Sequence, residues 1–72
     1  MDMLKVKEIR EEYLLKAREE DYDNNVTNDI YIAANDALIW YDRIGTDADT
    51  YTGGEATRRF ERAMEDLKTL IG

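Results

Sequence analysis

VTNDIYIAANDALIWYDRIG, residues 26–45, decides the fold of this 72-residue chain. Placed at the helical repeat of about 3.6 residues per turn, Val26, Ile30, Ala33, Ala37, Tyr41 and Ile44 fall in one row. Ala34, Leu38 and Tyr31 widen that row on one side, and Trp40 widens it on the other. Strict alternation, the strand signature, does not fit. Ala33, Ala34 and Ala37 are strong helix formers, and their short side chains let neighbouring backbones approach closely. A helix apolar over about half its circumference exceeds what one neighbour can cover, so residues 26–44 are read as the central helix of a small bundle.

The opposite face carries Asn28, Asp29, Asn35, Asp36, Asp42 and Arg43. Ile32 and Ile39 interrupt it, and their seven-residue spacing stacks them on one side of the helix. Two readings stand: a bent neighbour or the chain's own termini cover them, or they form an exposed apolar pair that serves as a contact site.

Outward from this helix, residues 3–22 read as a first helix with an apolar stripe of Met3, Val6, Ile9, Tyr13, Leu14 and Ala17. Leu4 and Leu15 lie off the stripe and are expected to widen it. No strong cap precedes it, so Met1 and Asp2 are expected to fray. Acids at its C-terminal end oppose the macrodipole and help to end it. Asn24 or Asn25 then caps the second helix, with Thr27 as a fallback. The short connection makes helices one and two antiparallel neighbours.

Gly45 suits the left-handed residue after a helix, and residues 46–51 read as a loop. Thr52 and Glu55 have capping-box spacing. The third helix, residues 53–71, packs through Ala56, Phe60, Ala63, Met64, Leu67, Leu70 and Ile71. Its outer face mixes charges at i,i+4 spacing, Glu55 with Arg59 and Arg62 with Asp66. The expectation is an all-α single domain, a three-helix antiparallel bundle with a broadly apolar central helix. A chain this short buries a small core, so association, including homodimerisation, is a natural further source of stability.

Seventeen acids against ten bases give a net charge of −7. Residues 24–52 hold five acids and one base, whereas residues 53–72 balance at four of each. An acidic surface repels nucleic-acid phosphates and attracts basic partners; charge of this size also serves solubility. The N-terminus lacks the pattern of a secretory signal, and Asn35 and Asp36 interrupt the best apolar run. A cytoplasmic location without membrane contact is expected, in the host cytoplasm if the gene is phage-borne.

Histidine, cysteine and serine are absent, so the usual nucleophile–base pairs and Cys-based zinc sites cannot be built. Asp47, Asp49 and Tyr51 echo an EF-hand loop, but Thr52 stands where glycine is required and Arg58 where the closing glutamate belongs. Gly53–Gly54 lacks the spacing and lysine of a phosphate loop. No catalytic residue, metal or cofactor is expected. Arg58, Arg59 and Arg62, with Trp40, Tyr41 and Tyr51 as stacking groups, would be the nucleic-acid surface, but Glu55, Glu61 and Asp66 neutralise them. Direct nucleic-acid binding is not expected.

The stretch AANDALIWYDRIGTDADTYTGGEATRRFERAME, residues 33–65, resembles the central part of the HEPN domains. These are small helical bundles of bacterial toxin, defence and nucleotide-handling systems. Ala34, Asn35, Asp36, Ala37 and Leu38, then Gly45, then the helix from Ala56 to Leu67 follow that layout. Active ribonuclease members carry Arg, four to six residues, then His. Arg43 matches the arginine, but Ala48, Asp49 and Thr50 stand where the histidine would be. The resemblance therefore implies a non-catalytic accessory or toxin–antitoxin-type dimerisation domain.

Short, acidic, cysteine-free chains without an active site also resemble in type the phage inhibitors of bacterial defence, anti-CRISPR proteins among them. On that expectation the partner is a larger basic protein or nucleoprotein complex. Glu19, Glu20, Asp21 and Asp23 in the first connection, Asp36 and Asp42 on the second helix, and Asp47 and Asp49 beyond it would enter a groove meant for phosphates. Ile32, Ile39 and Tyr51 would supply the apolar anchor, because charge steers encounter while buried apolar groups hold the complex.

Overall fold

The computed structural model describes residues 2–19, 25–51 and 53–72. It is all-α. There are three long helices, α1 (Met3–Glu19), α2 (Asn25–Arg43) and α4 (Glu55–Ile71), and a single helical turn, α3 (Asp47–Tyr51), lies between α2 and α4. α2 packs against both α1 and α4. The molecule is a rod about 40 Å long, and no helix among the described residues is long and apolar enough to cross a membrane.

α1 starts where Asp2 caps it. Its Oδ1 accepts the Lys5 N–H at 2.8 Å and its carbonyl accepts the Val6 N–H at 3.2 Å. The expected fraying at Asp2 is thereby corrected: a carboxylate at this position satisfies an N–H that the helix itself cannot. Residues 20–22, placed in the first helix from sequence, lie outside the described residues, as do Met1 and the proposed cap Asn24. Thr27, the fallback cap, is instead a buried residue inside α2.

The core is built on the alanine row. Ile30, Ala33, Ala34, Ala37 and Leu38 of α2 cluster with Val6 and Ile9 of α1 and with Ala63 and Leu67 of α4. Ala34 and Ala37 are fully buried, and Val6 and Leu67 are the largest side chains fully withdrawn from solvent. Burial of each of those two contributes about 1.5–3 kcal/mol. Small residues on the central helix and larger ones on its neighbours interdigitate, which lets both flanking helices come close.

The row does not stay buried to its ends. Val26 sits in the first turn of α2, ahead of the first core contact, and is 56% exposed; Ile44 lies past the last residue of α2. Tyr41 lays its ring against Phe60, with centroids 5.5 Å apart, and leaves the rest of its surface to solvent. Leu4 and Leu15 do not widen the α1 stripe, being 68% and 59% exposed.

Residues 46–51 were expected as loop, but Asp47–Tyr51 close one helical turn. Thr46 starts it: its carbonyl accepts the Thr50 N–H at 3.1 Å, and its Oγ accepts the Asp49 N–H at 3.4 Å. Among the described residues the ion pairs are Lys5–Glu8, Glu12–Lys16 and Glu55–Arg59, all on exposed or half-exposed helix faces. Such pairs add a few tenths of a kcal/mol each, roughly. The i,i+4 pair expected between Arg62 and Asp66 is not among them.

Candidate functional site

Of the eleven residues expected to meet a partner, the eight that are described do not form one patch. Glu19 closes α1, whereas Asp47 and Tyr51 belong to α3, past the far end of α2. The 19 residues of α2 make it about 28 Å long. Glu20, Asp21 and Asp23 lie outside the described residues. Ile32, Asp36, Ile39, Asp42, Asp47 and Tyr51 are exposed, Tyr51 at 93%.

Asp49 is the exception, and the connection between α2 and α4 explains it. Gly45 takes φ +80° after α2 ends, a conformation that suits glycine. The Thr46 hydroxyl then donates to the Arg43 carbonyl at 2.7 Å. This turn aims the Asp49 side chain inward, where it is 8% exposed. Its Oδ2 accepts the Gly45 N–H at 3.1 Å and its Oδ1 accepts the Ala56 N–H at 2.8 Å.

Asp49 therefore caps α4 from seven positions upstream of Ala56. The residue directly before α4, Gly54, has φ 85° and offers no side chain for the purpose. Thr52 of the expected capping box lies outside the described residues. Glu55 accepts instead from Arg59 Nε at 2.8 Å. The Gly45 N–H holds the Asp49 carboxyl below its ordinary value of 3.8; burial opposes this, and the Ala56 N–H, the Thr57 N–H and the Thr57 hydroxyl assist it. With both oxygens engaged by the chain's own N–H groups, Asp49 is a structural carboxylate and leaves the partner-facing set.

Packing brings together a different group. Between α2 and α4 lies an open groove of about 360 Å³. Its apolar wall is Ile32, Ala33, Ala63 and Leu70; Asp29 and Asp36 on α2 and Asp66 on α4 stand around it, with Thr69 beside Leu70. Ile32 is 52% exposed and Ile39, one heptad further on, 39%. Both side chains are therefore exposed, and no neighbouring helix covers the pair among the described residues. Asp29, Asp36 and Asp66 make no ion pair among the described residues.

Asp29 and Asp66 were not among the partner-facing residues expected from sequence. The spacing of Asp29, Ile32 and Asp36 carried the signal for the first, since these positions share one side of a helix. Asp66 arrives only through the pairing of α2 with α4.

The arginine end looks different. The Trp40 ring has the Arg43 guanidinium 4.8 Å and the Arg59 guanidinium 5.0 Å from its centroid. Arg59 is also bonded to Glu55, and Arg58 Nη1 donates to the Gly53 carbonyl at 2.6 Å. These cations and this ring are already occupied with one another. A second depression, on the outer side of α4, is lined by Arg58, Glu61, Arg62, Glu65 and Asp66, where both signs of charge alternate. No cluster of three or more acidic groups suited to holding a metal ion occurs among the described residues.

The described residues thus define a small all-α protein with an acid-rimmed apolar groove along its central helix. No protein-family model matches the chain, and comparison with curated proteins and with solved structures returns no similar protein.

Proposed function

We propose that this chain is a non-catalytic acidic protein that acts by binding a larger basic protein or nucleoprotein complex. Its most specific form is an inhibitor of a nucleic-acid-binding defence complex, of the anti-CRISPR type, that fills a phosphate-binding groove with carboxylates. In this reading a three-helix antiparallel bundle is the frame, and the exposed side of α2 is the working face. The supporting observation is Ile32, an exposed apolar side chain flanked by Asp29 and Asp36, carboxylates with no ion-pair partner among the described residues. Carboxylates of this kind accelerate encounter with a cationic surface, and the isoleucine supplies the part of the contact that excludes water. The engagement of Arg58 and Arg59 within the chain further disfavours direct nucleic-acid binding.

The test is capture of partners from a bacterial lysate at low and high salt, followed by association kinetics with the partner obtained. The expected partner is basic, and its on-rate falls about tenfold or more between roughly 50 and 500 mM salt. Asp36→Lys with Asp47→Lys slows association further, whereas Asp49 is left intact because its reversal would disturb the fold. An on-rate indifferent to salt, or an acidic partner, contradicts the proposal.

A second reading, a HEPN-like accessory domain that dimerises, draws on another observation. Leu4 and Leu15 are exposed on α1, and their eleven-residue spacing puts them on one row of the helix. Light scattering separates the two: a stable homodimer lost on Leu4→Lys with Leu15→Lys favours this second reading, and a monomer favours the first.

A further inference from the structure

We propose that the groove between α2 and α4 receives an apolar side chain from a cationic helix, whose flanking lysines or arginines meet Asp29, Asp36 and Asp66. This rests on the function proposed above and names the surface and the shape of partner that would serve it. Ala33 and Ala63 have short side chains, so the junction of the two helices is left recessed between Ile32 and Leu70. An apolar recess without a rim would accept many occupants; this one is selective by charge. Carboxylates stand on both helices, and the nearby C-terminal end of α4 adds the partial negative charge of its last carbonyls. Lys68, the one base in that last turn, lies about 200° around the helix from Asp66 and so on its far side.

A helix is the complementary shape because its apolar residues recur every three or four positions and leave the flanking positions for cations, the pattern of helix-in-groove recognition. A second copy of this chain is a poor occupant. It would bring the same three carboxylates against their equivalents, on a molecule of net charge −7.

The probe is a synthetic 18-residue helical peptide, lysine-rich with a single row of leucines, titrated into the intact ¹⁵N-labelled chain, with a leucine-to-serine peptide of equal charge as control. The leucine peptide is expected to shift the amides of Ile32, Ala33, Asp36, Ala63 and Leu70, and to bind about tenfold tighter than the serine peptide. Ile32→Asn, at an exposed position that the fold does not need, should remove most of that difference. Equal binding of both peptides, or shifts confined to Asp42 and Asp47, overturns the groove while leaving the acidic-surface function standing. Binding of neither peptide overturns both. Groove shifts that depend on protein concentration without peptide identify a second copy as the occupant and overturn the cationic helix.

Discussion

Leu67→Ala lowers the melting temperature by roughly 10–30 °C and leaves only a marginally folded chain. Leu67 is one of the two largest side chains fully removed from solvent, and it projects from α4 into the cluster centred on the alanines of α2. Truncation removes the transfer free energy of the lost atoms and leaves a cavity, together about 2–5 kcal/mol. A domain of 72 residues has a total stability of only about 4–11 kcal/mol. The neighbouring core residues of α2 include Ala33, Ala34 and Ala37, whose side chains are too short to reach into the space. Thermal unfolding followed by circular dichroism measures the effect. The comparison is Ile32→Ala on the exposed side of α2, where the shift should be no more than a few degrees. Similar losses for the two variants would show that Leu67 is not the keystone between α2 and α4.

Asp49→Ala gives the second large effect, a fall in melting temperature of roughly 5–15 °C, and unlike the first it changes with pH. The carboxylate holds the Gly45 and Ala56 N–H groups, so its loss opens the end of α2 and the start of α4 together. The sign follows from the direction of the pKa shift. The Gly45 N–H above all keeps the folded-state value below 3.8. A carboxyl lowered on folding contributes stability that is complete above its unfolded value and is lost as pH falls through the folded one. The wild-type chain should therefore lose this contribution progressively below about pH 4, while Asp49→Asn, with no charge to lose, shows a smaller slope there. Denaturation at a series of pH values from 7 to 2 measures it. Identical slopes for wild type and Asp49→Asn would exclude the carboxylate as an acid-labile cap.

These two residues also mark what could be read from sequence and what could not. The periodicity of α2 placed Ile30, Ala33, Ala34, Ala37 and Leu38 in the core, and that of α4 placed Ala56, Ala63 and Leu67 there. A repeat of 3.6 survives over helices of 17 and 19 residues and is insensitive to details at either end. The ends were harder. Val26 and Ile44 obey the pattern but stay exposed, because periodicity says which way a residue faces and not what stands opposite.

α3 is five residues long, too short for any repeat to show. The Asp49 cap joins residues that a sequence reading treats as separate, since the usual rules look only three positions from a helix start. Asp2 is a different case. An acid directly before an apolar stripe is a recognised start signal, and it was there to be read. In the groove, the Asp29–Ile32–Asp36 spacing was legible, whereas Asp66, Ala63 and Leu70 join it only because α4 packs where it does.

The central claim is that one helix serves two purposes: its alanine row is sealed in the core while Ile32 and Ile39 stay open to water beside carboxylates that make no ion pair among the described residues. Solvent paramagnetic relaxation of the alanine and isoleucine methyl groups, using a neutral soluble probe and dilute protein, tests this directly. Strong relaxation at Ile32 and Ile39, with protection at Ile30, Ala34 and Ala37, is the predicted result. Protection of Ile32 and Ile39 equal to that of Ile30 would contradict it, because the working face would then be buried.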